Sequence, residues 1–147
     1  MYAVFLKAAS CMLAILISGS IHADDRFNLA DSENTVFDRQ TGLIWQRDGT
    51  EVTTHFAAAL QYCLALDLDG RDNWRLPKIK ELISLVDEDH YKPSAYSEFF
   101  TAANLYWSST INPKRAGLYW TVNFSDGHVH AFSEKLDFSV RCVSDNQ

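Results

Sequence analysis

Pro77 marks a boundary in the chain around which the other segments can be placed. Proline fixes φ near the helical value and lacks only an N–H that a first helical turn leaves unbonded, so a helix opening at Pro77 is predicted. The same ring pushes Leu76 toward an extended conformation, and the chain must turn between them. Downstream, Ile79, Leu82, Ile83 and Val86 recur at i, i+3, i+4 and i+7 and form one apolar face, with Lys78, Lys80, Glu81 and Ser84 largely opposite. A short amphipathic helix packed on a core is the expectation. Trp74 and Leu76 precede it and supply apolar bulk that locks its entry angle, as a hydrophobic staple does. Trp74, Arg75, Leu76 and Pro77 are therefore read as a structural motif.

With 147 residues the chain has the length of one domain. Aromatic residues make up 13% of it, a content that supplies a core despite the net charge of -6. The acidic balance argues against a nucleic-acid partner, because binding to a phosphate backbone needs clustered Lys and Arg, and no such cluster occurs. Residues 1–23 have the layout of a secretory signal. Lys7 gives the positive start, residues 8–17 are apolar, Gly19 and Ser20 break the run, and Ile21-His22-Ala23 offers a cleavage site before Asp24. The apolar run is too short to span a bilayer, so no stable membrane span is expected after cleavage. Cleavage removes Cys11 and leaves Cys63 and Cys142 in an exported, oxidising compartment, periplasmic or at the cell surface, where they are predicted to pair. The loop so closed is about 80 residues, worth about 4 to 5 kcal/mol in chain entropy.

Residues 24–33 are polar and lack periodicity, which predicts a mobile leader, with the domain proper at residues 34–145. Thr35-Val36-Phe37-Asp38 and Leu43-Ile44-Trp45-Gln46 are strand candidates joined by Arg39-Gln40-Thr41-Gly42, a connection of hairpin length. From residue 55 to 67 the pattern becomes helical, with Phe56, Leu60, Cys63 and Leu64 at helical spacing and Thr53 or Thr54 available as N-cap. Cys63 thereby faces the core. Residues 87–104 are the longest irregular stretch, of the kind that is often functional. Leu105-Tyr106-Trp107-Ser108-Ser109-Thr110 and Leu118-Tyr119-Trp120-Thr121-Val122-Asn123-Phe124 are rich in strand formers, and Asp126-Gly127 predicts a hairpin into residues 129–132. Phe138-Ser139-Val140-Arg141-Cys142-Val143 alternates as a last strand. The class predicted is α+β: two helices on a small antiparallel sheet, with one disulfide from the first helix to the last strand.

Five motifs taken in order then resemble a known family. They are Thr41-Gly42-Leu43-Ile44-Trp45-Gln46, Asn73-Trp74-Arg75-Leu76-Pro77 with Lys80-Glu81-Leu82, Tyr106-Trp107-Ser108-Ser109, Val122-Asn123-Phe124-Ser125-Asp126-Gly127, and Val140-Arg141-Cys142-Val143. Their order and spacing resemble the Lcl C-terminal-like domain family, named for the end of a bacterial collagen-like adhesin, over about residues 34–143. The resemblance implies a C-type-lectin-like fold, shared with the formylglycine-generating enzymes, in which a first-helix cysteine commonly pairs with one in the last strand. This chain departs from those relatives in its chemistry. It has neither the Glu-Pro-Asn or Gln-Pro-Asp triplet nor the Trp-Asn-Asp of the lectin calcium site, Tyr106-Trp107-Ser108-Ser109 standing in the second place. Its two remaining cysteines are assigned to a structural bridge, so they leave no reactive pair for an oxidase. Collagen-like Gly-X-Y repeats are missing, and an acidic chain lacks the basic face that sulfated polysaccharides require.

Each candidate for chemistry has a structural reading beside it. His128 and His130 alternate on a strand and share a face, but nothing in the sequence supplies a third metal ligand. Asp87, Glu88, Asp89 and His90 lack the spacing of a calcium loop. Ser108 and Ser109 have no Gly-x-Ser-x-Gly elbow around them. Arg75 and Arg141, in apolar surroundings, are expected to pair with Asp72, Asp87 or another carboxylate and hold the fold in register. Tyr91, Tyr96, Tyr119 and Trp120 lie on or near irregular loops beside Asn, Asp and Ser, as glycan or protein contact surfaces do, and are the candidate ligand-binding residues. Trp107 and Trp120 also read as core residues, whereas Tyr91 and Tyr96 fit the core and the contact-surface readings equally.

The functional expectation is a secreted or periplasmic, non-enzymatic binding module for surface recognition or adhesion, toward a glycan or an envelope protein, with no cofactor and no metal. The alternative is a structural or accessory subunit of an envelope assembly. An enzymatic reading rests on fold kinship with the formylglycine-generating enzymes alone.

Overall fold

In a computed structural model of the protein, residues 23–49, 53–100 and 105–146 are described. The expected signal segment lies outside them except for Ala23. The predicted hairpin forms from β2 (Thr35–Asp38) and β3 (Leu43–Gln46), with Val36 opposite Trp45 and Phe37 opposite Ile44. Gly42, at φ 72, closes the connection by donating its N–H to the Asp38 carbonyl at 2.8 Å. A side chain at that φ would be strained.

Part of the segment 24–33, expected as a mobile leader, forms regular structure. A single turn, α1 (Ala23–Arg26), leads into β1 (Phe27–Leu29), which pairs antiparallel with β2. One aromatic anchors this segment: Phe27 is 2% exposed and packs against the rings of Tyr96, Phe99 and Phe100. A single anchor whose partners lie some 70 residues away leaves no periodicity to read.

The last strand is also shifted. Alternation placed it at residues 138–143, whereas β8 is Val143–Asp145, pairing with β3 on one side and with β4 (Trp74–Arg75) on the other. The preceding residues run between other elements, Phe138 bridging Thr54 and Ser139 bridging Tyr106. Residues 139–144 are all buried, so this segment has no solvent face to alternate against. The resulting sheet has five strands in the order β1-β2-β3-β8-β4.

The first full helix, α2 (Phe56–Leu64), is capped by His55, whose Nδ1 accepts the Ala58 N–H at 3.2 Å, and not by a threonine. Thr54 is engaged in paired backbone bonds with Phe138. Phe56, Ala59 and Cys63 are buried, while Leu64, expected on the same face, is 63% exposed because the buried stripe is narrow. Cys63 bonds Cys142 across 79 positions of sequence. Cys142 stands immediately before β8 and already follows β3, its N–H donating to Gln46 Oε1 at 3.1 Å and its carbonyl accepting the Gln46 N–H at 3.0 Å. The helix-to-last-strand bridge forms as predicted.

Pro77 lies one residue before the cap of α3 (Ile79–Ile83), not in its first turn. Lys78 is the N-cap, and the Glu81 carboxylate accepts its N–H at 2.7 Å, half of a capping box. The helix ends sooner than the spacing implies. Leu85 and Val86 donate to carbonyls three residues back, and such a tightened turn advances each side chain by about 120° in place of 100°. Leu85 is therefore brought over Leu82 and is buried at 1% exposed, while Ile83, the last residue of α3, is 40% exposed.

A second, three-stranded antiparallel sheet stands where the sequence suggested one continuous sheet. It comprises β5 (Leu105–Ile111), β6 (Leu118–Asn123) and β7 (His128–Ser133), with the Asp126-Gly127 hairpin as predicted. The fold is thus α+β with antiparallel pairing throughout the named strands. Two hydrophobic clusters result, and neighbouring residues on one strand feed opposite ones. Trp45 and Tyr106 pack with Leu82, Leu85 and Phe100, whereas Ile44 and Trp107 pack with Phe56, Trp74 and the disulfide. Among the described residues no helix is long and apolar enough to cross a membrane.

Candidate functional site

Three elements enclose a cleft: the β2–β3 turn, the end of α3 and the loop after Val86. The loop is closed at its base, since Val86 bridges Ala95 and the Asp87 N–H donates to the Ser94 carbonyl at 3.2 Å. It is tied to the second sheet as well, because Ser94 and Lys92 donate their N–H groups to the carbonyls of Phe124 and Ser125. A concavity of about 660 Å³ lies between, lined by Gln40 and Thr41 from the turn, Ile83 and Ser84 from α3, Asp87, Glu88 and Asp89 from the loop, and Arg26 and Tyr96. A smaller one of about 120 Å³ adjoins it, with His90 and Glu98 in its wall. Asp87 and Tyr96 line both, so the two cavities share a wall.

Arg26 contributes no free positive charge to this surface. Its Nε and Nη2 donate to the two Asp38 oxygens at 2.9 and 2.6 Å. Burial raises the cost of the Asp38 charge, but the Arg26, Thr41 and Gln40 hydrogen bonds outweigh it and hold the carboxyl below the usual range. Burial likewise disfavours the Arg26 charge, and Asp38, with help from Tyr96, more than compensates. With Arg26 neutralised, Asp87, Glu88 and Asp89 leave the groove acidic. Asp87 is itself held in place, accepting the Asp89 N–H at 3.0 Å and lying 2.6 Å from His90 Nδ1.

Of the four predicted ligand-binding residues, Tyr96 alone lines the groove. Tyr91 projects into solvent at 67% exposed, with the Lys92 ammonium 5.1 Å from its ring centre. Tyr119 stacks on Phe56 at 3.5 Å beside the second core cluster. Trp120 is half-buried on β6 and lies in neither cluster, while Trp107 is fully buried. Asp87, Glu88, Asp89 and His90 were weighed in the sequence only as a calcium loop, and the groove residues from other segments escaped the reading. Arg26 fell in the supposed leader, and Gln40 and Thr41 read as turn residues only.

The arginine and serine candidates are engaged structurally. Arg75 pairs with Glu81, through contacts of 2.8 and 2.9 Å, and with Asp145 at 2.9 Å, carboxylates other than the two named in the expectation. Arg141 is buried with its guanidinium 4.8 Å from the Phe100 ring and 5.3 Å from that of Tyr106. Burial lowers its pKa, with Tyr106 and Asp48 acting in the opposite direction. Ser108 Oγ donates to the Trp120 carbonyl at 2.6 Å and Ser109 Oγ to the Pro77 carbonyl at 3.2 Å. His128 and His130 share a face of β7, as alternation requires, with ring centres 6.4 Å apart.

These elements include all five motifs of the resemblance. The sequence model of the Lcl C-terminal domain family matches residues 34–144. The chain belongs to that family. As a member of the Lcl C-terminal domain family, it carries the groove within the matched region, with Gln40, Thr41, Ile83 and the 87–98 loop inside the match and Arg26 before it. No curated protein matches the sequence.

Proposed function

We propose that this Lcl C-terminal domain protein is an exported, non-enzymatic binding module of C-type-lectin-like fold, and that a neutral or weakly basic glycan seats in the groove beneath the 87–98 loop. The groove carries the reading: about 660 Å³ is the size of small-ligand sites, and it is walled by a tyrosine ring, an amide, hydroxyls and carboxylates. Such groups hydrogen-bond sugar hydroxyls and cover the apolar face of a sugar ring. Its acidity works against sulfated polysaccharides, since like charges placed together disfavour a partner. The C-type-lectin-like assignment is supported by β1 and β8 sharing a sheet and by the bridge from α2 to the segment entering β8. Export is supported by the signal-like residues 1–23 and by a disulfide, which suits an oxidising compartment. Both serine hydroxyls are committed to backbone carbonyls, in keeping with a role other than catalysis.

The test is binding to a panel of neutral, amine-bearing and sulfated glycans, with calcium and again with chelator. Binding of neutral or amine-bearing members that persists in chelator and weakens in Thr41→Ala and Glu88→Gln supports the reading. Preference for sulfated members, or loss in chelator, would overturn it. A second reading, a subunit of an envelope assembly, is favoured by Tyr91, a large ring exposed outside the groove. A panel without any binder would leave that second reading standing in place of the first.

A further inference from the structure

The turn between β6 and β7 brings a third donor to the two histidines of β7. His128 pairs with Asn123 and His130 with Thr121, so alternation directs both imidazoles to one face. The turn folds back tightly: Gly127, at φ 75, donates its N–H to the Asn123 carbonyl at 2.7 Å. Asp126 is thereby placed over the start of the strand, where its Oδ1 accepts the His128 N–H at 3.0 Å and lies 3.3 Å from His128 Nδ1. The Asp126 carboxylate thus stands beside the exposed His128 ring.

We propose that Asp126, His128 and His130 form a surface site for one borderline divalent transition ion, with Cu²⁺ preferred and Zn²⁺ next. Two imidazole nitrogens and a carboxylate oxygen are the donors such ions favour, and Mg²⁺ and Ca²⁺ prefer oxygen alone. With metal–nitrogen bonds of about 2.1 Å, two imidazoles sharing one ion have ring centres roughly 5 to 6 Å apart. The observed 6.4 Å lies just outside that range. The donors are placed but not converged, and among the described residues no three such side chains already surround a point. Both histidines are exposed, the His128 side chain at 73%, so rotation to close the gap meets little packing resistance.

The experiment is titration of untagged protein with Cu²⁺ and with Zn²⁺, by calorimetry and by electron paramagnetic resonance of the copper form. One ion per chain is expected, with two imidazole nitrogens in the copper hyperfine pattern. His128→Ala and His130→Ala should each weaken binding by at least about tenfold, and Asp126→Asn by a smaller factor. His55→Ala and His90→Ala should leave metal uptake unchanged, and thermal unfolding should be unaltered in His128→Ala and His130→Ala, whose side chains are exposed. No uptake at millimolar ion would overturn the site. So would uptake that survives His128→Ala with His130→Ala, uptake lost in His90→Ala, or an affinity indifferent to Asp126→Asn.

Discussion

Arg26 grips Asp38 with two nitrogens, and the pair joins the start of β1 to the turn that walls the groove. Asp38 has no exposed surface and Arg26 has 9%. Removing one partner strands the other charge, so Asp38→Asn and Arg26→Met should each lower stability by about 3 kcal/mol in urea unfolding. Replacing both together should cost less than the sum of the two, because neither charge is then left alone.

The same contact predicts a response to acid. The folded-state pKa of Asp38 lies below its ordinary value, as does that of Glu81, where burial is outweighed by Arg75 and the Lys78 N–H. A depressed carboxyl stabilises the fold above its unfolded pKa of about 4, and the stabilisation fades as pH falls toward the folded value. Melting temperature should therefore be steady from pH 7 to 5 and decline below about pH 4. In Asp38→Asn that decline should be shallower, and an equal slope in variant and parent would remove Asp38 as a cause.

Cys63 and Cys142 are both fully buried, and the bridge closes a 79-residue separation. The double variant Cys63→Ser, Cys142→Ser should lose about 4 kcal/mol in chain-entropy terms, measured as a shift in urea midpoint. Thiol-reactive probes under reducing conditions should label the parent only as it unfolds.

Around α3, Leu82→Ala and Leu85→Ala should each cost about 2 to 5 kcal/mol, as large-to-small changes in a packed core do. Ile83→Ala should cost less than about 1 kcal/mol, since its side chain is 40% exposed. Equal costs at positions 83 and 85 would restore the regular helical face read from spacing and refute the tightened turn.

Gly49 is small because of Tyr106. A methyl group there would lie 2.6 Å from Cε1 and from the hydroxyl of that buried ring. Gly49→Ala should destabilise by about 1 to 3 kcal/mol through overpacking. Gly49→Ala in a Tyr106→Leu background should lose most of that penalty, which thermal melts of the four proteins would resolve.

Legibility in the sequence followed the range of the interactions involved. The β2–β3 hairpin and the β6–β7 turn were readable because Gly42 and Asp126-Gly127 sit beside the strands they join. Cys63 was placed on the buried face of α2 from helical spacing alone. Of the groove, only Tyr96 and the acidic loop were visible, because Arg26, Thr41 and Ile83 come from three separate segments that mean little apart. The partners of Arg75 were not legible, since Asp145 meets it through the pairing of β4 with β8 and Glu81 from α3.

Residue order by itself determined the α+β class, the two hairpins, the cysteine pair and the family, because turn chemistry, alternation and motif spacing are carried by contiguous residues. Tertiary packing decided the division into two sheets, the early end of α3, the anchoring of residues 26–29 and the groove. Each of these depends on which distant surfaces exclude water from one another, as when Leu85 is buried while Ile83 is left exposed or Phe27 draws its strand against Tyr96 and Phe100. That competition for burial is settled by shape in three dimensions and leaves no periodic trace along the chain.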